Sequence, residues 1–237
     1  MSRNDGRRHD QLRPLNLEVD FVEQAAGSVL YSQGKTRVLC TASIEEGVPR
    51  WMKGKGLGWM TAEYSLLPAS TGERTPREAR QGRQQGRTVE IQRLIGRALR
   101  AVTDFKALGE RTLWLDCDVV QADGGTRCAA ISGAYVAAAR ALERIGFSRA
   151  LPDSVGAVSL GIVGGEALLD LDYSEDSTAD VDLNVVMTGS GRLVEVQATA
   201  ERAPFSREQL DELLELGARG VELIGRAQRE AIEAPRA

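Results

Sequence analysis

Hydrophobic residues along the chain follow two periods, and the switches between them outline the fold. In LNLEVDF (15–21), GSVLYSQ (27–33) and TRVLCTASI (36–44), apolar positions alternate or run together between glycine-containing turns. That pattern predicts antiparallel strands, with QGK (33–35) as a hairpin loop. GWMTAEYSLL (58–67) predicts another strand after the Gly/Lys-rich WMKGKGLG, which reads as a mobile loop. From Pro76 to about Ala101 the period becomes helical, and Val89, Ile91, Leu94, Ile95 and Leu99 fall roughly on one face. TLWLDCDVVQ (112–121) predicts a buried strand that feeds a helix over about 126–145, where Ala130, Ala134, Ala137, Ala138 and Ala141 are small enough for close packing on a sheet. Strands resume in GAVSLGIVGG, EALLDLDY, ADVDLNVVMTG and RLVEVQATAE, and a charged amphipathic helix runs from about Ser206 to Ala231.

This order makes the class α+β, with helices packed on largely antiparallel sheet. GSVLYSQGKTRVLCTA and GAVSLGIVGGEALLDL both read as strand, glycine turn, strand. The echo suits a duplicated β-rich unit, and chance is a fair alternative.

Length and composition narrow the chemistry. A chain of 237 residues is expected to form a single domain over 1–237, with the charged, apolar-poor MSRNDGRRHD (1–10) as a flexible tail. That segment does not read as a signal peptide, and no run of roughly 18 apolar residues predicts a membrane span, so a cytoplasmic protein is expected. Cys40, Cys117 and Cys128 form no CxxC pair and read as buried reduced thiols. His9 is the single histidine and lies in the polar N-terminal segment. A Ser-His-Asp triad, a Cys-His pair or a histidine-ligated zinc therefore has almost no material. Carboxylates, arginines, backbone N–H groups and an oxygen-liganded Mg²⁺ or Mn²⁺ remain.

Three constellations carry that chemistry. In QADGGTRCAAISGAY, Gly125 or Thr126 marks a helix start, and Arg127 sits in the first turn where the helix end is already partly positive. An anion between the two corrects the sign, whereas a solvated arginine is the plainer alternative. Between Arg74 and Arg100 lie eight arginines against two glutamates, in a chain whose net charge is −4. A solvated helical face competes there with phosphate-backbone contact. The third is LLDLDYSEDSTADVDLNVV, where Asp170, Asp172, Glu175, Asp176, Asp180 and Asp182 have no basic residue among them. A solvated turn explains Glu175, but Asp182 is flanked by apolar strand positions, as a site for a hard cation would be. Together these suggest phosphoryl chemistry on a nucleic acid, with inorganic phosphate at the glycine turn serving as nucleophile.

RVLCTASIEEGVPRWMKGKG, GWMTAEYSLLPAST, GRTVEIQRLIGRALRA, LDCDVVQADGGTR, DYSEDSTADVDLNVVMTG and VEVQATAE, in this order, closely resemble the bacterial ribonuclease PH family. The resemblance runs from roughly Arg7 to the C-terminal helix. It implies a two-fold β-rich unit with packed helices, of the ribosomal protein S5 domain 2-like kind, shared with polynucleotide phosphorylase and exosome ring subunits. It also implies a phosphate-dependent 3′-to-5′ exoribonuclease that trims tRNA precursors and other RNA 3′ ends and releases nucleoside diphosphates. A homohexameric ring, a trimer of dimers, is implied as well. By resemblance, the phosphate-binding residues are Arg87, Gly125, Thr126 and Arg127, and the catalytic, metal-associated residues are Asp176 and Asp182. Arg74, Arg77, Arg80 and Arg83 fall in the tRNA-contacting segment. Cys128 is expected to offer only its backbone to the pocket. The alternatives are a non-catalytic RNA-binding ring subunit and a hydrolytic nuclease.

Overall fold

The computed structural model describes residues 3–202 and 204–235. Strands β1 (Leu15–Val19), β2 (Gly27–Gln33) and β3 (Thr36–Glu46) form an antiparallel meander. The β2–β3 turn holds only Gly34 and Lys35, and Gly34 adopts φ +59°, which favours a residue without Cβ. Strand β4 (Trp59–Leu66) leads through helix α1 (Gly86–Arg100) and the short α2 (Phe105–Leu108) to β5 (Arg111–Gln121). β4 and β5 are parallel neighbours, as a helical crossover requires, so the first sheet has the order β1-β2-β3-β5-β4. Helix α3 (Thr126–Arg144) follows, then β6 (Val155–Val163), β7 (Glu166–Leu169), the one-turn α4 (Tyr173–Asp176), β8 (Val181–Thr188), β9 (Leu193–Ala200) and α5 (Arg207–Glu233). The second sheet, β7-β6-β8-β9, is antiparallel throughout. Both hairpins of the internal echo form, but the first continues its sheet from β3 and the second from β6.

Helix α3 lies between the sheets, touching β2 and β3 on one side and β6 on the other. Its alanines make this possible. A Cβ on Gly27 of β2 would lie 2.2 Å from the Ala137 carbonyl, and one on Gly133 would lie 2.7 Å from Cys40 Sγ. The larger core joins the first sheet to α1 and α3 and also takes in Val155, Ala157 and Val186. A second core fills the space between the second sheet and α5, where Ser206 and Gln209 form a reciprocal N-terminal cap. All three cysteines are buried free thiols.

Three expectations need correction. The helix anticipated from Pro76 is broken: a turn at Glu78–Gln81 stops at Gly82 (φ +68°), and α1 begins only at Gly86. Its first part has no apolar stripe to bury, so nothing selects a continuous helix. Val89 is 38% exposed, because the buried stripe is Thr88, Ile91, Leu94, Ile95, Ala98 and Leu99. The segment expected to be a flexible tail over residues 1–10 is packed from Arg3 onward. Arg3 and Arg7 are 6% and 8% exposed, held by ion pairs and carbonyls instead of apolar contacts, which is why hydropathy missed them.

Candidate active site

The glycine turn joins the end of β5 to α3. Gly124 and Gly125 adopt φ +79° and +66°, the left-handed region that suits glycine. A Cβ on Gly124 would lie 2.7 Å from the Leu171 carbonyl, so the turn is pressed against the loop before α4. Thr36 fixes its entry: the Asp123 N–H donates to Thr36 Oγ1 at 2.9 Å, and that hydroxyl donates to the Gly124 carbonyl at 2.7 Å. The Tyr64 hydroxyl donates to Thr126 Oγ1 at 3.0 Å. The first bond closing α3 runs from Ala129 N–H to the Gly125 carbonyl, at 3.0 Å. The N–H groups of Thr126, Arg127 and Cys128 precede it, in the orphan positions that receive anions at helix N-termini.

Arg127 is mostly buried beside this turn, with 13% of its side chain exposed. It donates to Gln197 Oε1 on β9 and lies 3.4 Å from Glu90 Oε1 on α1, while Gln197 donates to the same Glu90 oxygen at 3.0 Å. The carboxylates face this region from the second sheet. Asp176 ends α4, whose start is closed by a reciprocal Asp172–Glu175 cap. Asp182 stands near the start of β8, and the Asn184 amide lies 3.4 Å from each of its carboxylate oxygens.

One cavity of about 720 Å³ is lined by Arg87, Gly125, Thr126, Arg127, Asp176 and Asp182. All six candidate residues for phosphate and catalysis thus meet, from α1, the β5–α3 turn, α4 and β8. Burial pushes the Asp182 carboxyl up to about 6, the neighbouring Asp176 carboxylate adds to the rise, and Arg127 opposes it. Asp176 is also raised, by burial first, with Arg87 and Arg127 opposing. Burial thus holds both carboxyls above the usual carboxylate range although two arginines oppose the rise.

The arginine segment divides. Arg77 and Arg83 line a neighbouring cavity of about 640 Å³ with Glu63, Asp116 and Asp118, whereas Arg74 and Arg80 line neither cavity. Burial raises the Asp118 carboxyl and Arg77 opposes that rise, while Arg97 pairs with Glu195. Acidic partners thus come from distant strands, which a local count of charges could not show.

Sequence reasoning missed several residues. Tyr64, Ser159, Tyr173 and Asn184 line the cavity, and Arg13 and Thr36 brace the glycine turn. Only Asn184 carried a signal, two positions beyond Asp182 and therefore on the same face of its strand. The Cys128 side chain turns away from the cavity. Its thiol donates to Asn184 Oδ1 at 3.3 Å, and burial pushes that thiol up to about 12.

Two family models match the chain, the 3′ exoribonuclease family domain 1 over residues 11–142 and domain 2 over residues 153–220. The chain belongs to the 3′ exoribonuclease family. It is 58% identical over 235 residues to ribonuclease PH of Frankia casuarinae, covering 99% of this chain and 95% of that protein. Ribonuclease PH of Bacillus velezensis is 52% identical over 236 residues, covering 97% and 96%. The resemblance to bacterial ribonuclease PH therefore holds over nearly the full length, and with it the activity of a phosphorolytic 3′ exoribonuclease that uses inorganic phosphate as co-substrate. Among solved structures, rice Rrp46 superposes with a TM-score of 0.80 at 20% identity, covering 98% of this chain and 100% of that one. A chain of the Archaeoglobus fulgidus exosome with RNA bound to the active site gives 0.79 at 23%, covering 95% and 92%. At these identities the likeness concerns the fold alone. No helix among the described residues is long and apolar enough to cross a membrane.

Proposed function

We propose that the chain trims tRNA precursors and other RNA 3′ ends in the cytoplasm, and that the cavity at the glycine turn is its active site. The observation that carries this reading is the convergence of Arg87, Gly125, Thr126 and Arg127 with Asp176 and Asp182 in one cleft. Inorganic phosphate sits against the orphan N–H groups of α3 and between the guanidinium groups of Arg87 and Arg127. Their charge and dipoles hold it close and in line with the last phosphodiester. An oxygen of the bound phosphate forms a bond to that phosphorus as the bond to the preceding 3′-oxygen breaks. The terminal nucleotide departs as a nucleoside diphosphate, and the 3′-oxygen of the shortened RNA takes a proton. The reverse reaction adds nucleotides from nucleoside diphosphates through the same contacts.

Asp176 and Asp182 suit Mg²⁺ or Mn²⁺, since such ions take one or two carboxylates and complete their shell with water and phosphate oxygens. Among the described residues no cluster of three or more His, Cys, Asp or Glu side chains forms a full protein cage, and two carboxylates beside a phosphate pocket are the set such ions use. When bound, the ion would neutralise charge on the scissile phosphate and the leaving oxygen. The alternative role for Asp182 is to deliver the proton that the leaving oxygen requires instead of holding the ion, for which its raised carboxyl suits it.

Arg74, Arg77, Arg80 and Arg83 are assigned to RNA backbone contact because they sit on the segment leading into α1, next to the cavity. The chain is taken to act as a single unit, since its larger core draws Val155, Ala157 and Val186 from the second sheet. A homohexameric ring, a trimer of dimers, is the proposed assembly, supported by the fold shared with an archaeal exosome core at a TM-score of 0.75. Light scattering tests this against the protomer mass of 25.6 kDa.

The deciding experiment uses a tRNA with a labelled 3′ extension and Mg²⁺, with and without inorganic phosphate. Release of nucleoside diphosphate only with phosphate is expected. Nucleoside monophosphate without phosphate would mean a hydrolase, and an intact tail with RNA bound would mean a non-catalytic ring subunit.

A further inference from the structure

The segment between Arg3 and Arg13 lines none of the active-site cavity, yet Arg3, Arg7 and Arg13 end on the two loops that do. Arg13 grips both at once. Its backbone N–H and Nε donate to Asp170 Oδ2 at 2.7 and 3.1 Å, and Nη2 donates to Oδ1 at 2.7 Å. The same guanidinium donates to the carbonyl of Asp123, and to that of Gly124 at 3.4 Å. In a planar trans peptide the N–H points opposite to the carbonyl, so holding these two oxygens orients the N–H groups of Gly124 and Gly125. Asp170 itself adopts φ +56°, uncommon for a residue with a side chain, and is 1% exposed.

Arg3 grips the other end of the same loop. Nε and Nη2 donate to the two Glu175 carboxylate oxygens at 2.7 and 2.6 Å, and further N–H groups donate to the carbonyls of Leu169 and Asp170 at 2.8 and 2.9 Å. Arg7 adds a bond of 2.9 Å to the Asp170 carbonyl. Glu175 immediately precedes Asp176 in α4, a helix of four residues with little intrinsic stability. The Arg13–Asp170 and Arg3–Glu175 side chains are at most 7% exposed. Buried ion pairs are inefficient as sources of stability, but their fixed geometry makes them effective at setting register.

We propose that the N-terminal arm is a clamp that sets the phosphate turn against the carboxylate loop, with Arg13 and Arg3 as positioning residues. Arg13 fixes the Gly124 and Gly125 peptides from which α3 starts, and so sets the direction in which the free N–H groups of its first turn meet phosphate. Arg3 holds α4 so that Asp176 is presented beside Asp182. The proposal rests on the assignment of phosphate to the turn and of the metal to the two aspartates.

The test is steady-state phosphorolysis by Arg13→Lys, Arg3→Lys and the control Arg127→Ala, with thermal melts and RNA binding measured on each. Lysine keeps the charge but cannot span two groups with one planar fork. Arg13→Lys is expected to raise KM for phosphate about tenfold with RNA affinity unchanged, the scale seen when a supporting partner of a site residue is lost. Arg3→Lys is expected to lower kcat and raise the Mg²⁺ concentration for half activity, leaving KM for phosphate in place. If Arg127→Ala raises KM for phosphate while both lysine variants change only the melting temperature, the clamp is overturned and the phosphate site stands. If Arg127→Ala also leaves KM unchanged, the site assignment fails instead. Should Arg13→Lys not fold, Asp170→Asn replaces it. Failure of both to fold would assign the pair to stability alone and overturn the proposal.

Discussion

The side-chain amide of Asn184 lies 3.4 Å from both carboxylate oxygens of Asp182. These are long hydrogen bonds, but the amide is fixed from behind, because Asn184 Oδ1 accepts from the Cys128 thiol at 3.3 Å. That contact leaves the NH₂ group facing the carboxylate. If Asp182 holds the metal as proposed, Asn184→Ala should lower kcat about tenfold with RNA affinity kept, the scale of losing a ligand's orienting partner. Cys128→Ser should be mild, since a hydroxyl can make the same donation, whereas Cys128→Val should approach the Asn184→Ala phenotype. Steady-state kinetics on the three variants checks the order. Equal effects of serine and valine would remove the thiol from this chain of contacts.

Arg127 carries the second prediction. Its guanidinium is already engaged by Gln197 and Glu90, and Glu90 is half-exposed. Phosphate arriving at the turn must compete with the Glu90 carboxylate for that group. Arg127→Ala should raise KM for phosphate at least about tenfold, in line with the loss of a charge-assisted bond. Glu90→Gln should lower KM for phosphate by removing the competing charge. A raised KM in Glu90→Gln would instead make Glu90 a support that aims Arg127.

How much was legible in the sequence follows from the physics of each residue. The hairpins, the α3 alanines and the Gly124–Gly125 turn were readable because period and positive-φ demands are local properties. Asp182 stood out as a carboxylate among apolar strand positions. Arg13 and Arg3 gave no signal, since their partners Asp170 and Glu175 lie 157 and 172 positions away. A buried arginine and a solvated one look the same in a list of charges. The same blindness to distant partners made the arginine segment look unpaired when Glu63, Asp116 and Asp118 lie beside part of it.

Two glycines of similar conformation differ in what surrounds them. Gly124 and Gly165 have φ +79° and +84°, but only Gly124 has a neighbour where a Cβ would go, the Leu171 carbonyl at 2.7 Å. Gly165→Ala should cost only backbone strain, about 1 kcal/mol, and leave kinetics unchanged. Gly124→Ala adds a backbone clash, so it should cost about 3 kcal/mol or more and raise KM for phosphate by displacing the turn. Denaturant melts with phosphate titration separate the two. Similar melting of both variants would mean that the turn relaxes freely.

Arg77 and Arg83 share a cavity with four carboxylates, those of Glu63, Glu78, Asp116 and Asp118, while Arg74 and Arg80 do not. The double variant Arg74→Gln/Arg80→Gln should reduce the slope of log affinity for single-stranded RNA against log salt by about 0.7 per arginine. Arg77→Gln/Arg83→Gln should reduce it less, because those charges are already partly compensated. Binding isotherms over a salt series decide the matter, and equal slopes in both double variants would show that the carboxylates do not shield their neighbours.

In the folded chain Asp182 keeps its proton to about pH 6, whereas in the unfolded chain it ionises near its ordinary value of 3.8. Between those values the folded state binds more protons, so this group's contribution to stability is fully present below about pH 4 and is lost as pH rises through 6. Asp182→Asn removes that titration and also relieves the repulsion on Asp176. Without metal, the variant should melt at a higher temperature than the native chain at neutral pH, and the gap should close as pH falls from about 6 to 4. Comparing the two proteins cancels the acid response of the other carboxylates. Adding Mg²⁺ should then raise the melting temperature of the native chain more than that of Asp182→Asn, since only the native site retains both carboxylates. A gap that is independent of pH, or that Mg²⁺ leaves untouched, would remove Asp182 from the charged pair and return the metal to other ligands.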